Sequence, residues 1–227
     1  MHYAIALFPG FEALDAFGPL EILNTLSKQT AIELSVLAAT REPVSTRSPD
    51  PDAAAKGSVC SQEIVPTGTF DDFLALSPDA RSSREGKRKR EIDVLIVPGG
   101  AGTRFPEVIQ PVIEFVRGVY PSLRYAVSVC TGSGVFARAG ILDGKRATTN
   151  KLRWGDIIAL RTEVDWVRNA RWVVDGNVWT SSGVSAGIDV TLALTREVYG
   201  SEVAVEVARF IEYVWDGGDD GTRDPFA

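Results

Sequence analysis

Short apolar strands alternate with helices along most of this chain, and that alternation restricts the fold more than any other feature of the sequence. The apolar periodicity predicts strands over 3–8, 33–39, 92–97 and 123–129, and helices over 12–26, 106–120, 188–199 and 201–215. Buried strands joined by helices form a mostly parallel sheet that is covered on both faces. Asp175-Gly176 separates two further apolar segments and predicts a hairpin over 171–180. The sequence therefore predicts an α/β fold.

Cys130 lies at the junction between the predicted strand 123–129 and the small-residue segment Thr131-Gly132-Ser133-Gly134. A helix that begins there directs unpaired N–H groups and the positive end of its dipole at the thiol. Both effects lower the pKa of a cysteine and favour a thiolate nucleophile. The arrangement is the thiol counterpart of the nucleophile elbow of hydrolases. The alternative is a buried structural cysteine that carries no chemistry.

A carboxylate is expected near this thiol. Asp15 stands between apolar residues at the start of the helix that follows the first strand. Partial burial there is expected to raise its pKa, so that it can exchange a proton with the thiol or with a substrate. From the local sequence, an N-terminal cap of the helix, or an acid in its first turn that the helix dipole favours, explains Asp15 equally well.

The glycine-rich turn Pro98-Gly99-Gly100-Ala101-Gly102 follows the strand 92–97. It lacks the G-x-G-x-x-G spacing of a dinucleotide site. Glycines let the backbone approach a ligand, and the N–H groups of Gly100, Ala101 and Thr131 are candidate oxyanion donors. This turn, the turn before Asp15 and the Cys130 junction all follow strands, so they are expected to meet beyond the carboxyl ends of a parallel sheet.

Composition excludes several classes of site and partner. The chain has 227 residues, a net charge of −6, one histidine and two cysteines. His2 begins the first strand, so a Cys–His pair has no candidate base, and no set of residues has the spacing of metal ligands. Acidic balance argues against nucleic acid, and no apolar run reaches the roughly 20 residues that cross a bilayer. Two cysteines in unrelated contexts, Cys60 and Cys130, favour a reducing, cytoplasmic location without disulfides.

We expect one domain over residues 1–227, with two irregular segments. Residues 46–91 break the strand–helix rhythm and are predicted to form an insertion loop. Within it, Lys87-Arg88-Lys89-Arg90 is typical either of a solvated loop or of a localisation or nucleic-acid patch. Residues 216–227 are predicted to form a flexible acidic tail.

Five motifs, in this order, resemble the ThiJ/PfpI superfamily, the family of the parkinsonism-associated redox protein. They are Leu14-Asp15-Ala16-Phe17-Gly18-Pro19, Val97-Pro98-Gly99-Gly100, Val129-Cys130-Thr131-Gly132, Ala147-Thr148-Thr149 and Ala186-Gly187-Ile188-Asp189. The resemblance implies a flavodoxin-like three-layer sandwich, similar to class I glutamine amidotransferases. It also implies a homodimer that acts on a small molecule without a cofactor. The Cys-Thr-Gly elbow and the Leu-Asp-x-x-Gly-Pro motif are most similar to the isocyanide hydratase branch.

In that branch a thiolate attacks the isocyanide carbon, and water hydrolyses the resulting thioimidate to an N-substituted formamide. The resemblance implies that Cys130 is the nucleophile, Asp15 the general acid–base, and Thr131 a residue that orients the site. Gly99, Gly100, Ala101 and Gly132 would surround the substrate. Two positions depart from relatives: Thr131 replaces a histidine of many superfamily proteases and glyoxalases, and Asn150 replaces a histidine that often follows the paired threonines.

Two other functions fit the same residues. A redox sensor would oxidise Cys130 to a sulfinic acid without turning over a substrate. A ligand-binding dimer would keep the fold without using the thiol. Isocyanide hydration is the leading hypothesis because it uses both Cys130 and Asp15.

Overall fold

A computed structural model describes residues 1–57, 59–74, 91–215, 221 and 223–227. Within these residues the strands are β1 (His2–Ala6), β2 (Glu33–Ala38), β3 (Val44–Ser45), β4 (Glu63–Ile64), β5 (Gly68–Thr69), β6 (Val94–Val97), β7 (Tyr125–Ser128), β8 (Arg146–Ala147), β9 (Asp165–Trp166), β10 (Trp172–Asp175) and β11 (Val178–Ser181). The helices are α1 (Ala13–Leu26), α2 (Pro51–Ala55), α3 (Asp71–Leu74), α4 (Pro106–Val119), α5 (Gly132–Ala139), α6 (Trp154–Ile158), α7 (Ala186–Tyr199) and α8 (Ser201–Phe210). Two 3-10 turns cover Ala101–Arg104 and Tyr120–Ser122.

Among the described residues, seven strands form the central sheet in the order β10-β11-β7-β6-β1-β2-β5. The pairs are parallel except for the hairpin of β10 and β11, which forms around Asp175-Gly176 as the sequence predicts. Every residue of β1 and of β6 is buried, because helices cover both faces of the sheet. The predicted α/β fold with a mostly parallel sheet is confirmed.

The helices form the two outer layers. Helices α1, α7 and α8 pack together on one side, and α3, α4 and α5 on the other. Helix α4 shows why these residues form helices: Pro106 stands at its first turn, where a missing N–H costs nothing, and its buried residues recur every three or four positions. Helix α5 ends at Gly140, whose φ of 77° suits a left-handed cap.

The parallel register brings three turns to one edge of the sheet. Strand β6 lies between β1 and β7, and Val97 is paired with Ser128 at the carboxyl ends of β6 and β7. The segment after β1 leads to Asp15, the turn after β6 contains Gly99, and β7 ends two residues before Cys130. The expected convergence of these segments is therefore observed.

The predicted insertion loop, 46–91, contains part of the layered structure. Strand β5 pairs with β2 at the edge of the central sheet, and Phe70 is buried with its ring stacked on that of Phe115 at 4.6 Å between centroids. Strands of two residues give no readable periodicity, so the sequence does not reveal β5. The basic cluster Lys87–Arg90 lies outside the described residues.

The predicted flexible tail, 216–227, is described only at residues 221 and 223–227. At these residues the backbone is fixed by hydrogen bonds to the rest of the protein, unlike the flexible tail that the sequence predicts. Asp224 is buried, and its backbone N–H donates to the carbonyl of Asn169 at 2.6 Å. The Gly221 carbonyl accepts from the N–H of Arg171 at 2.5 Å.

Candidate active site

The backbone at Cys130 makes the sharp turn of a nucleophile elbow. Cys130 has a φ of 57°, a left-handed conformation that is uncommon for residues other than glycine. Its N–H donates to the carbonyl of Ser182 at 2.9 Å, which holds the turn between β7 and α5. Gly132 must lack a side chain, because a Cβ there would overlap the carbonyl of Val97. The elbow predicted from the sequence is present, and it sets the thiol beside the turn after β6.

Asp15 is a fully buried carboxyl group in the first turn of α1. Its Oδ2 accepts the backbone N–H of Gly99 at 2.8 Å, and its Oδ1 is buried without an N–H or O–H donor among the described residues. It makes no capping bond to α1, and the cap position is occupied by Glu12. Of the two structural alternatives for Asp15, the helix cap is therefore wrong, whereas Asp15 does lie in the first turn of α1.

Burial raises the pKa of Asp15 to about 7, as the sequence suggested, and the charge of Glu12 adds to this rise. The N–H of Gly99 and a hydrogen bond from the Cys130 thiol lower the pKa of Asp15 and offset part of it. A carboxyl group with such a pKa can both accept and donate a proton near neutral pH.

The thiol of Cys130 is protonated at rest, contrary to the expectation of a lowered pKa. Burial raises its pKa to about 12, with the Asp15 charge as the second cause. Hydrogen bonds from the N–H groups of Val184 and Thr131 and from Asn150 lower the pKa but do not offset burial. The helix N-terminus therefore does not by itself yield a thiolate, and a neighbouring base has to remove the proton. Asp15 is that neighbour.

Thr131 and the glycine-rich turn hold one another in place. Thr131 Oγ1 accepts the N–H of Gly100 and the hydroxyl of Thr103, each at 3.0 Å. A Cβ at Gly99 would lie 2.5 Å from both the backbone nitrogen and Oγ1 of Thr131. Gly99 is thus required for the close approach that brings the turn, Thr131 and Asp15 together.

The predicted oxyanion donors are mostly engaged within the protein. The N–H of Gly99 binds Asp15, that of Gly100 binds Thr131, that of Thr131 binds the thiol, and that of Gly132 donates to Val129 at 2.9 Å. These groups position the reacting side chains instead of facing a ligand. Ala101 differs, because it lines the cavity and begins a 3-10 turn, where its N–H has no intrahelical acceptor.

The thiol opens into a cavity of about 340 Å³. The residues that line it are Glu12, Gly100, Ala101, Thr103, Arg104, Cys130, Thr131, Asn150, Leu152, Arg153 and Val184. Leu152 and Val184 give it an apolar side, and Glu12, Arg104 and Arg153 give it a charged side. The aromatic residues Phe17 and Trp154 do not line this cavity, and Trp179 lines a separate one near β10 and β11.

Sequence reasoning missed Asn150 and Val184 as partners of the thiol. Asn150 Nδ2 donates to Cys130 Sγ at 3.1 Å, while its Oδ1 accepts the N–H of Arg153 at 3.0 Å. The signal that could have identified Asn150 is its position directly after Thr148-Thr149, where relatives often have a histidine that can form hydrogen bonds. Val184 acts through its backbone, which no side-chain pattern reveals. Its φ of 24° marks a strained turn.

Two further observations concern the part of the chain that the structure describes. It contains no group of three or more His, Cys, Asp or Glu side chains placed to hold a metal ion. None of its helices has the length and apolar character needed to cross a membrane.

Fold and site together define an α/β protein with a buried cysteine at a nucleophile elbow and a carboxyl group beside the thiol. The chain belongs to the DJ-1/PfpI family, whose model matches residues 1–197. This confirms the resemblance drawn from the motifs.

Three comparisons place the chain among known proteins. The isonitrile hydratase of Pseudomonas putida is 33% identical over 207 residues, which cover 91% of this chain and 76% of that protein. The HTH-type transcriptional regulator GbdR of Pseudomonas aeruginosa is 29% identical over 144 residues, which cover 63% of this chain and 37% of the regulator. A THiJ/PfpI family protein from Pseudomonas syringae superposes with a TM-score of 0.71 at 24% identity, covering 95% of this chain and 76% of that one. The last similarity shows the fold alone.

Proposed function

We propose that this protein is a cofactor-independent hydratase that converts an isocyanide and water into an N-substituted formamide. The observation that carries the proposal is the buried Asp15 carboxyl group, which has a pKa of about 7 and accepts a hydrogen bond from the Cys130 thiol. The similarity to the Pseudomonas putida isonitrile hydratase, at 33% identity over 91% of the chain, supports the same chemistry.

In the first step the isocyanide carbon gains both sulfur and hydrogen. Ionised Asp15 takes the thiol proton while Cys130 Sγ attacks the terminal carbon of R–N≡C. Protonated Asp15 then delivers that proton to the same carbon, which gives the thioimidate R–N=CH–S on Cys130. A resting thiol with a raised pKa suits this sequence, because the proton leaves sulfur only when the neighbouring base accepts it.

In the second step water hydrolyses the thioimidate. Asp15 accepts a proton from a water molecule while the water oxygen bonds to the imidate carbon, and Asp15 then passes that proton to the nitrogen. The tetrahedral intermediate collapses with cleavage of the C–S bond, which releases R–NH–CHO. The thiol regains its proton, so the net change is the addition of one water molecule to one isocyanide.

The surrounding groups stabilise the charge that develops on sulfur. Asn150 Nδ2 lies 3.1 Å from Sγ, and the N–H groups of Thr131 and Val184 donate to the same atom. Donors fixed before the reaction stabilise developing charge without reorganisation. Leu152 and Val184 form the apolar side of the cavity and would contact the R group.

The test is formamide production from a simple alkyl and a simple aryl isocyanide. Wild type is compared with Cys130→Ala and with Cys60→Ala, which removes the exposed cysteine as a matched control. We expect wild type and Cys60→Ala to turn over equally and Cys130→Ala to produce no formamide. Turnover that survives in Cys130→Ala, or wild type that is inactive on both substrates, would refute the proposal.

The raised thiol pKa weighs against the redox-sensor alternative, because oxidation by peroxide starts from the thiolate. The ligand-binding alternative does not explain why a carboxyl group is buried beside the Cys130 thiol. The homodimer implied by the family is part of the proposal, and light scattering on the purified chain measures it.

A further inference from the structure

A buried lysine lies directly behind the active-site loop. The side chain of Lys151 is 5% exposed, and its Nζ donates to Thr148 Oγ1 at 2.8 Å and to the carbonyls of Thr149 and Ala170 at 3.0 Å. The three protons of the ammonium group are thus matched by three acceptors. Because the Thr149 carbonyl belongs to the peptide unit that carries the Asn150 nitrogen, Lys151 fixes the backbone from which Asn150 reaches the thiol.

The counter-ion of Lys151 comes from the C-terminal segment. Asp224 Oδ2 lies 3.5 Å from Lys151 Nζ, and the Asp224 side chain is fully buried. Burial lowers the pKa of Lys151, as do the charges of Arg168 and Arg171, whereas Asp224 raises it. A buried ammonium group next to two guanidinium groups is costly without an opposite charge.

The backbone of residues 169–171 contacts both members of the ion pair, Lys151 and the segment that carries Asp224. The N–H of Asp224 donates to Asn169 and the N–H of Arg171 to Gly221, on either side of the Ala170 carbonyl that binds Lys151. The C-terminal segment is therefore docked on the loop that supports Lys151.

We propose that Asp224 and Lys151 are positioning residues for the nucleophile: the ion pair keeps Lys151 charged and in place, and Lys151 holds Asn150 against Cys130 Sγ. Loss of the Asp224 charge leaves the ammonium group uncompensated, so Lys151 moves toward solvent or loses its proton. Either change weakens the hold of Lys151 on the Thr149 carbonyl, because a neutral amine has only two protons for the three acceptors, and it loosens the Asn150 donor at sulfur. The consequence for turnover rests on the proposed hydratase function, whereas the consequence for the thiol does not.

The experiment measures the rate of Cys130 alkylation by iodoacetamide as a function of pH, read by mass spectrometry in a Cys60→Ala background. The Asn150 hydrogen bond lowers the pKa of Cys130, so its loss raises that pKa and slows alkylation at fixed pH. We expect Asn150→Ala and Asp224→Asn each to be about tenfold slower, the change for a one-unit rise in pKa. The matched control Asp72→Asn, which removes the acid of the exposed pair with Arg41, should alkylate at the wild-type rate.

A double-mutant comparison tests whether Asp224 acts through Asn150. Asp224→Asn combined with Asn150→Ala should be no slower than the slower single variant, because both remove the same donor. Additive effects, or an Asp224→Asn rate equal to that of Asp72→Asn, would overturn the proposal. A purely structural loss would lower the melting temperature of the folded protein without moving the alkylation profile.

A second variant keeps the proposal testable if Asp224→Asn does not fold. Lys151→Met with Asp224→Asn removes both charges and leaves no buried ion alone, so it is expected to fold. It should alkylate as slowly as Asp224→Asn, and wild-type alkylation in this variant would also overturn the proposal. If wild type does not hydrate isocyanides but these shifts are observed, the proposed function fails and the positioning role stands.

Discussion

Replacing Asp15 with asparagine should make Cys130 more reactive toward alkylating agents and less able to catalyse hydration. The Asp15 charge raises the pKa of the thiol, second only to burial. Two unit charges about 4 Å apart interact by about 4 kcal/mol at an effective dielectric constant of about 20. Removing the charge should therefore lower the thiol pKa and speed alkylation at least about tenfold and at most about 1,000-fold.

Turnover should change in the opposite direction. Asparagine fills the same space and its amide oxygen can still accept the Gly99 N–H, but it cannot take a proton from the thiol. Loss of a general acid–base typically costs about 10²- to 10⁴-fold in rate. If Asp15 served only to hold the thiol, the more ionised variant would be as active as wild type or more active.

The assay pairs two measurements on the same preparations. Iodoacetamide alkylation of Cys130 is followed at about pH 8.5, where Asp15 is mostly ionised in wild type, and formamide formation is followed at the same pH. Asp72→Asn supplies a control, because it removes the carboxylate of the exposed pair with Arg41, which does not line the cavity. Slower alkylation in Asp15→Asn, or unimpaired hydration, would refute the assignment of Asp15 as the base.

Three further predictions concern stability and reactivity. The pKa of Asp15 rises from 3.8 to about 7 on folding, so the stability that its protonated form contributes is complete below about pH 4 and is lost as the pH rises through 7. By about pH 8 the loss is on the order of 4 kcal/mol. Thermal melts should therefore show the melting temperature of Asp15→Asn increasing relative to that of wild type between about pH 4 and pH 8. Gly99→Ala places a Cβ 2.5 Å from the Thr131 backbone nitrogen, so we expect chemical denaturation to show a loss of about 1–3 kcal/mol together with lower hydratase activity; wild-type stability would contradict the close packing of the turn. Dilute peroxide should oxidise exposed Cys60 before buried Cys130, and peptide mapping that finds Cys130 oxidised first would restore the redox-sensor alternative.

Much of the fold could be predicted from the sequence because its strands and helices have strong local patterns. The Asp175-Gly176 turn, the apolar strands before Gly99 and Cys130, and the periodicity of α4 each depend on neighbours within a few residues. Strand β5 escaped detection because two residues carry no period, and its place at the sheet edge depends on pairing with β2.

The sequence by itself determined that the segments with Asp15, Gly99 and Cys130 meet at the site, but it did not reveal Asn150 or Val184. Parallel strands end at one edge, so the residues that follow β1, β6 and β7 are brought together whatever their detailed contacts, and Asp15, Gly99 and Cys130 follow from that rule.

Only the tertiary structure decided what these groups do to one another. Gly99 N–H reaches Asp15 across 84 positions of sequence, Asn150 reaches Cys130 across 20, and Asp224 reaches Lys151 from the far end of the chain. Burial of the thiol and its closeness to a carboxyl group reversed the expected direction of its pKa. Desolvation and Coulomb energies depend on distances and on excluded water in three dimensions, and local sequence patterns carry neither.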